Sequence, residues 1–210
     1  VKYLLPVILL LAGCAQMSAQ PAARTFVYDC DGGYRLVAFF TPAVDDRLRL
    51  ELPTGPRTLL PAPAASGARY VGDGLEFWSK GQNAGLSIDG QAPRQCRNNP
   101  SAAIWESARR RGVQLRATGN EPGWYLEIGP EKIVYAGQYG RHVLDFPFDP
   151  AMISRQQASA IYRTATPENQ LEVKIETGDC FDSMSGEKFT RRVTLQLNQQ
   201  TFYGCGRQLN

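Results

Sequence analysis

Arg47-Leu48-Arg49-Leu50-Glu51-Leu52 alternates charged and apolar residues without a break. A period of two puts Leu48, Leu50 and Leu52 on one face of an extended strand and the charges on the other. The stretch reads as a half-buried strand with three leucines turned to a core. On either side, Tyr34-Arg35-Leu36-Val37-Ala38-Phe39-Phe40 and Leu75-Glu76-Phe77-Trp78 show the same alternation or aromatic enrichment, divided by Gly, Pro and Asp clusters. Later in the chain, Trp124-Tyr125-Leu126-Glu127-Ile128, Lys132-Ile133-Val134-Tyr135, Leu171-Glu172-Val173-Lys174-Ile175 and Val193-Thr194-Leu195-Gln196-Leu197 repeat it. Short strands with regular turn signals favour small antiparallel barrels or sandwiches. The expected fold class is therefore all-β.

A chain of 210 residues suits two small domains, each with a modest core, and the boundary is legible. Asn99-Pro100-Ser101 opens a short helix with proline in its first turn, Ile104, Trp105 and Ala108 share one face, and Arg109-Arg110-Arg111 precedes Gly112. Positive charge complements a helix C-terminus, and glycine supplies the cap. The division expected is a β-domain over 26–98, a helical linker over 99–112 and a second β-domain over 113–210. Read as a nucleic-acid patch, the arginine run lacks interleaved aromatics and a wider basic stripe. No nucleic-acid partner is expected, and a formal net charge of +3 is too small to imply a polyanionic one.

The N-terminus points to export. Lys2 precedes an apolar run, Tyr3 to Leu11, far shorter than the roughly 20 residues of a membrane-spanning helix, and the run ends in Leu11-Ala12-Gly13-Cys14. This resembles the bacterial lipobox, whose cleavage leaves a lipid-bearing cysteine. Residues 1–14 are thus expected to be a lipoprotein signal with Cys14 as the lipidation site, and residues 15–25 a tether. Ala15-Gln16 lacks the aspartate that marks inner-membrane retention in enteric bacteria, which favours the outer membrane. Of the 5 cysteines, Cys14 goes to lipid and four remain, allowing three connectivities. Each half holds its own pair, so Cys30–Cys96 and Cys180–Cys205 need no bridge between domains, and an oxidising envelope keeps them closed. Closing loops of those lengths contributes roughly 4 and 3.5 kcal/mol on the chain-entropy account.

Catalysis and metal binding find little support. His142 is the single histidine and has no nucleophile placed beside it, and the cysteines are expected to be oxidised. Acidic pairs such as Asp45 with Asp46 lie in turn contexts where aspartate bonds its own backbone. No CxxC spacing occurs, so neither metal nor cofactor is expected. One cation does stand out. Lys80 is the only lysine between Cys14 and Gly112, where eleven arginines fill the other basic positions. That departure suits a site where only a slim, single-point cation fits. Lys80 and Ser66 both lie against glycines, Ser66-Gly67 and Lys80-Gly81, which permit tight turns.

The order Tyr28-Asp29-Cys30, alternating strands, Ser66-Gly67-x-x-Tyr70, Trp78-Ser79-Lys80-Gly81 and Cys96 resembles the membrane-bound and periplasmic inhibitors of C-type lysozyme. The resemblance covers about residues 26–97. It implies an eight-stranded antiparallel barrel with an internal disulfide, whose Ser and Lys loops enter the lysozyme cleft and meet its two catalytic carboxyl groups. Those roles fall on Ser66 and Lys80, with Gly67, Gly81 and Tyr70 in the same motifs, and the partner implied is C-type lysozyme. A competing reading is an envelope-binding or adhesin-like lipoprotein that uses the barrel without inhibition.

The second half is similar to a family of uncharacterised bacterial envelope proteins, through Thr118-Gly119-Asn120-Glu121-Pro122-Gly123-Trp124, Cys180-Phe181-Asp182-Ser183-Met184-Ser185-Gly186 and Gly204-Cys205-Gly206. Asn120, Glu121 and Trp124 are the candidate ligand residues there, against the alternative of a structured turn leading into a strand. The expectation for the whole is a non-enzymatic, lipid-anchored, two-domain envelope protein.

Overall fold

A computed structural model of the chain describes residues 23–40, 46–150, 153–156 and 158–209. Cys14, the signal segment and most of the expected tether lie outside the described residues. The tether expected to run to residue 25 ends earlier, because the first strand already begins at Arg24.

The first half is a closed barrel of eight antiparallel strands joined in chain order: β1 (Arg24–Cys30), β2 (Tyr34–Phe40), β3 (Leu48–Leu52), β4 (Gly55–Ala62), β5 (Ala68–Gly72), β6 (Leu75–Lys80), β7 (Asn83–Ile88) and β8 (Arg94–Asn98). Leu48, Leu50 and Leu52 point inward and are buried, so the alternation of β3 is read directly into the core. Phe77, Leu36, Leu59 and Leu86 fill the same interior. The barrel closes where β1 meets β8, and there Cys30 stands opposite Cys96 and bonds to it. Because successive strands reverse direction, β1 begins and β8 ends at the same end as the β4–β5 and β6–β7 connections.

The second half is one nine-stranded antiparallel sheet that curls into a half-barrel. Its strands are β9 (Leu115–Asn120), β10 (Gly123–Ile128), β11 (Lys132–Gly137), β12 (His142–Pro147), β13 (Ile153–Gln156), β14 (Ser159–Ala165), β15 (Gln170–Phe181), β16 (Lys188–Leu197) and β17 (Gln200–Gln208). They lie in the order β12-β11-β10-β9-β17-β16-β15-β14-β13. The curl brings β14 back to β12, the Thr164 hydroxyl donating to the Pro147 carbonyl at 2.7 Å. Inside it, Trp124, Leu126, Ile128, Ile133, Phe146, Val173 and Leu195 make one core, and Cys180–Cys205 is the second disulfide. The architecture is thus all-β with one joining α-helix and one disulfide in each half.

That helix, α1 (Pro100–Arg110), starts where Asn99 accepts a hydrogen bond from the Ala102 amide at 2.9 Å. It ends on Gly112, whose positive φ of 80° suits the cap. Its apolar face is only partly covered. Ala108 is fully buried, but Ile104 is 51% exposed, because the helix is gripped through its polar side chains as well as its apolar ones. Arg110 forms an ion pair with Glu51 of β3 at 2.7 Å and lies over the Phe39 ring, while Arg111 holds Glu127 of β10 through both carboxylate oxygens at 2.8 Å. Trp105 packs on Phe189 of β16. The helix is a strut fastened to both halves.

Candidate functional site

The two motifs singled out in the first half meet at one end of the barrel. Ser66 and Gly67 form the bend before β5, Lys80 ends β6, and Gly81 with Gln82 makes the turn into β7. Pairing of β5 with β6 sets Ala68 opposite Ser79 and Arg69 opposite Trp78, so the Ser66 bend lies against the end of β6. Gly67 is what allows the contact. Its φ is +73°, and a Cβ there would overlap the Ser79 carbonyl oxygen and stand 3.2 Å from the Lys80 Cβ. Gly81 serves only its turn, with φ +61° and open space around it.

Period two puts Trp78 and Lys80 on the outer face of β6, with Phe77 buried between their neighbours. The Trp78 indole, 43% exposed, donates through Nε1 to the Ser66 carbonyl at 2.8 Å. A tryptophan read as part of a motif is therefore the clamp that fixes the serine bend. Its position two residues before Lys80 on the same face was the available signal. Ser66 and Lys80 are both exposed, and among the described residues Lys80 makes no ion pair. The turn is braced from the other side by Asn98, whose amide nitrogens bond the Gln82 backbone and side-chain oxygens at 2.8 and 3.1 Å.

Tyr70 differs from the other motif residues. It packs edge-on against Phe40, ring centroids 5.6 Å apart, as part of the barrel core. Burial pushes its phenol above the ordinary range, and the Asp46 carboxylate adds to the shift. The arrangement is an exposed hydroxyl and an exposed ammonium on two abutting turns, backed by a closed barrel. Among the described residues no cluster of His, Cys, Asp and Glu could hold a metal ion.

Residues 28–95 match the family described as membrane-bound lysozyme-inhibitor of c-type lysozyme. The chain is also 37% identical over 82 residues to the membrane-bound lysozyme inhibitor of C-type lysozyme of Yersinia enterocolitica, covering 39% of this chain and 67% of that relative. The chain belongs to this family of lysozyme inhibitors. Its family barrel is the first half, and the ridge of Ser66 and Lys80 lies within the matched region. No solved structure matches the chain.

Outside the inhibitor-family barrel, the second-half candidates separate in space. Asn120 ends β9, and its side-chain amide donates to Asp182 at 3.0 Å and to Ser183 at 2.9 Å. It thereby ties together two motifs far apart in sequence. Glu121 is exposed in the turn, and Trp124 is buried in the core of the half-barrel beneath Gly119 and Gly204. Asn120, Glu121 and Trp124 do not converge.

The arginine run also has a sharper role than helix-end charge. Arg111 shares Glu127 with Arg116, and the Arg116–Glu127 pair is buried, with the Arg116 guanidinium 4.4 Å from the Tyr125 ring centroid. Sequence spacing carries no sign of it, since its partners are strands away.

Proposed function

We propose that this protein inhibits C-type lysozyme by inserting the Ser66 and Lys80 turns into the enzyme's cleft. The observation that carries the reading is the fusion of those turns into one rigid ridge by the Gly67 contact and the Trp78–Ser66 hydrogen bond. C-type lysozyme works with one protonated and one ionised carboxyl group. The Lys80 ammonium pairs with the ionised group, and the Ser66 hydroxyl exchanges a hydrogen bond with the acid. A ridge ordered before binding avoids the cost, about 0.5–1.5 kcal/mol per side chain, of immobilising mobile groups. Gly67 and Gly81 belong to the site as the residues that shape it, and Tyr70 as the ring that supports the mouth.

In this reading residues 26–98 are the inhibitory unit, 99–112 the strut and 113–210 a separate envelope unit of the uncharacterised kind that its motifs resemble. The protein is not an enzyme, and lipid on Cys14 holds it to the envelope, at the outer membrane. A turbidity assay of lysozyme acting on bacterial cell walls, with added mature protein, tests the proposal. Saturable inhibition that Lys80→Ala weakens by about thirtyfold or more supports it. A folded, full-length protein without inhibition would leave the adhesin-like alternative.

A further inference from the structure

The outer face of the second sheet carries a groove of about 380 Å³, within the range of small-ligand sites. Its floor is the solvent side of β16, β17 and β9, where Arg192, Thr194, Tyr203 and Asn120 point away from the core. Its wall is the end of β15 and the loop that follows, from Phe181 to Ser183. This wall is built rigidly. The β15–β16 register shifts between Thr177 and Cys180, the disulfide to Cys205 pins the displaced end across β17, and the Asn120 amide ties Asp182 and Ser183 down. Asp182 is fully employed in this, accepting also from the Met184 and Ser185 amides at 3.0 and 2.7 Å.

Two aromatic rings line this groove: Tyr203 is 74% exposed, and Phe181, with the Lys188 ammonium 6.0 Å from its ring centroid, is 61% exposed. Exposed aromatic surface gathered on one built wall is the kind that marks an interaction site. Arg192 is the one basic side chain lining the groove, beside the carboxylates of Glu176 and Asp182. Gly178, at the shifted register, leaves room for its guanidinium, since a Cβ there would stand 2.8 Å from Nη2, and among the described residues Arg192 has no ion-pair partner. Glu176, which lines the groove opposite Arg192 in the register, is engaged by Lys174 at 3.0 Å. The groove thus offers two ring faces, hydroxyl and amide groups, and one free guanidinium, the group best suited to a carboxylate.

We propose that this groove binds an acidic glycan, with Tyr203 and Phe181 against the apolar faces of sugar rings and Arg192 on a carboxylate. Two envelope sources carry such chemistry, the muramic-acid units of the cell wall and the acidic sugars of lipopolysaccharide. The experiment titrates full-length protein, followed by amide chemical shifts, with a GlcNAc–MurNAc disaccharide, with 3-deoxy-octulosonic acid and with neutral chitobiose. The expected result is saturable shifts around Tyr203 and Arg192 for one acidic sugar, weakened about tenfold or more in Tyr203→Ala and in Arg192→Ala. The sugar that binds names the source. Absence of saturable shifts with both acidic sugars, chitobiose binding as tightly as either, or affinity unchanged in both variants would overturn the proposal. Both side chains are exposed, so the variants keep the wild-type melting temperature. Their lysozyme inhibition is also unchanged, which separates this proposal from the reading of the barrel.

Discussion

The Trp78 indole donates to the carbonyl of Ser66 across twelve residues of chain and joins the end of β6 to the bend before β5. The bond spans the two turns of the ridge, so the position of the hydroxyl depends on a residue that carries no part of the chemistry. Trp78→Phe keeps an aromatic ring and removes the donor. Losing one neutral hydrogen bond is worth about 0.5–1.5 kcal/mol, so inhibition is expected to weaken by about two- to tenfold with the barrel still folded. Inhibition constants and thermal melts of the two proteins check this. An unchanged constant would show that the bend holds itself.

The two glycines of the ridge are expected to respond differently to alanine. Gly81→Ala meets only the cost of a left-handed residue, about 1–2 kcal/mol. Gly67→Ala meets that cost and must also push the bend away from the Ser79 carbonyl, which parts the two turns. Inhibition should survive the first change and fail in the second, both measured in the turbidity assay beside melting curves.

Lys80 tests the shape of the partner's cleft. In the proposed mode of binding, Lys80→Ala leaves an enzyme carboxylate buried and unpaired, at a cost of about 2–5 kcal/mol. Lys80→Arg keeps the charge but replaces a point by a planar fork, and a loss of about tenfold or more is expected. Tolerance of arginine, measured by calorimetric titration with lysozyme, would place Lys80 on the rim.

The strut is expected to fail at its buried end. Glu127→Gln removes the charge shared by Arg111 and Arg116 and leaves the buried Arg116 uncompensated, a change that typically costs about 3–5 kcal/mol. Urea unfolding monitored by tryptophan fluorescence should show the second half destabilised. Arg35→Ala, at an exposed pair with Asp29, should cost less than about 1 kcal/mol.

Acid should loosen both halves. The hydrogen bond from Arg35 holds the Asp29 carboxyl below its usual range, helped by Asn99. In Asp182 burial pushes the other way and is outweighed by bonds from Ser185, Asn120 and Met184. Both groups titrate lower when folded than unfolded, so their stabilisation is present above the unfolded value near 3.9 and is lost as pH falls through the folded one. Melting temperature should drop below about pH 4, and Asp29→Asn should flatten that drop.

Much of this was legible because alternation survives in the residues that carry most burial. Leu48, Leu50 and Leu52 announce β3, and Leu171, Val173 and Ile175 announce β15. Strand β4 was not legible, because Pro56 and Pro61 speak against a strand yet sit opposite Glu51 and Tyr70 in the barrel. The polar β8, Arg94 to Asn98, exists because Cys96 is drawn to Cys30. In the site, Ser66 and Lys80 were legible as motif residues, but their contact was not, since it depends on cross-strand register. Trp124 was open to two readings. A tryptophan beside a polar turn suits either a ligand or a strand entering a core, and here it is buried in the core.

Closure of the first half has a further consequence for behaviour in concentrated solution. A barrel whose first and last strands pair offers no open row of amides and carbonyls to another chain. The half-barrel ends instead on β12 and β13, and β12 is met by the Thr164 hydroxyl of β14 without a shared ladder. An unpaired margin of that kind is a template for strand addition. Self-association on storage should therefore begin at β12, where Val143 is exposed, and a lysine at that position is the change that would suppress it.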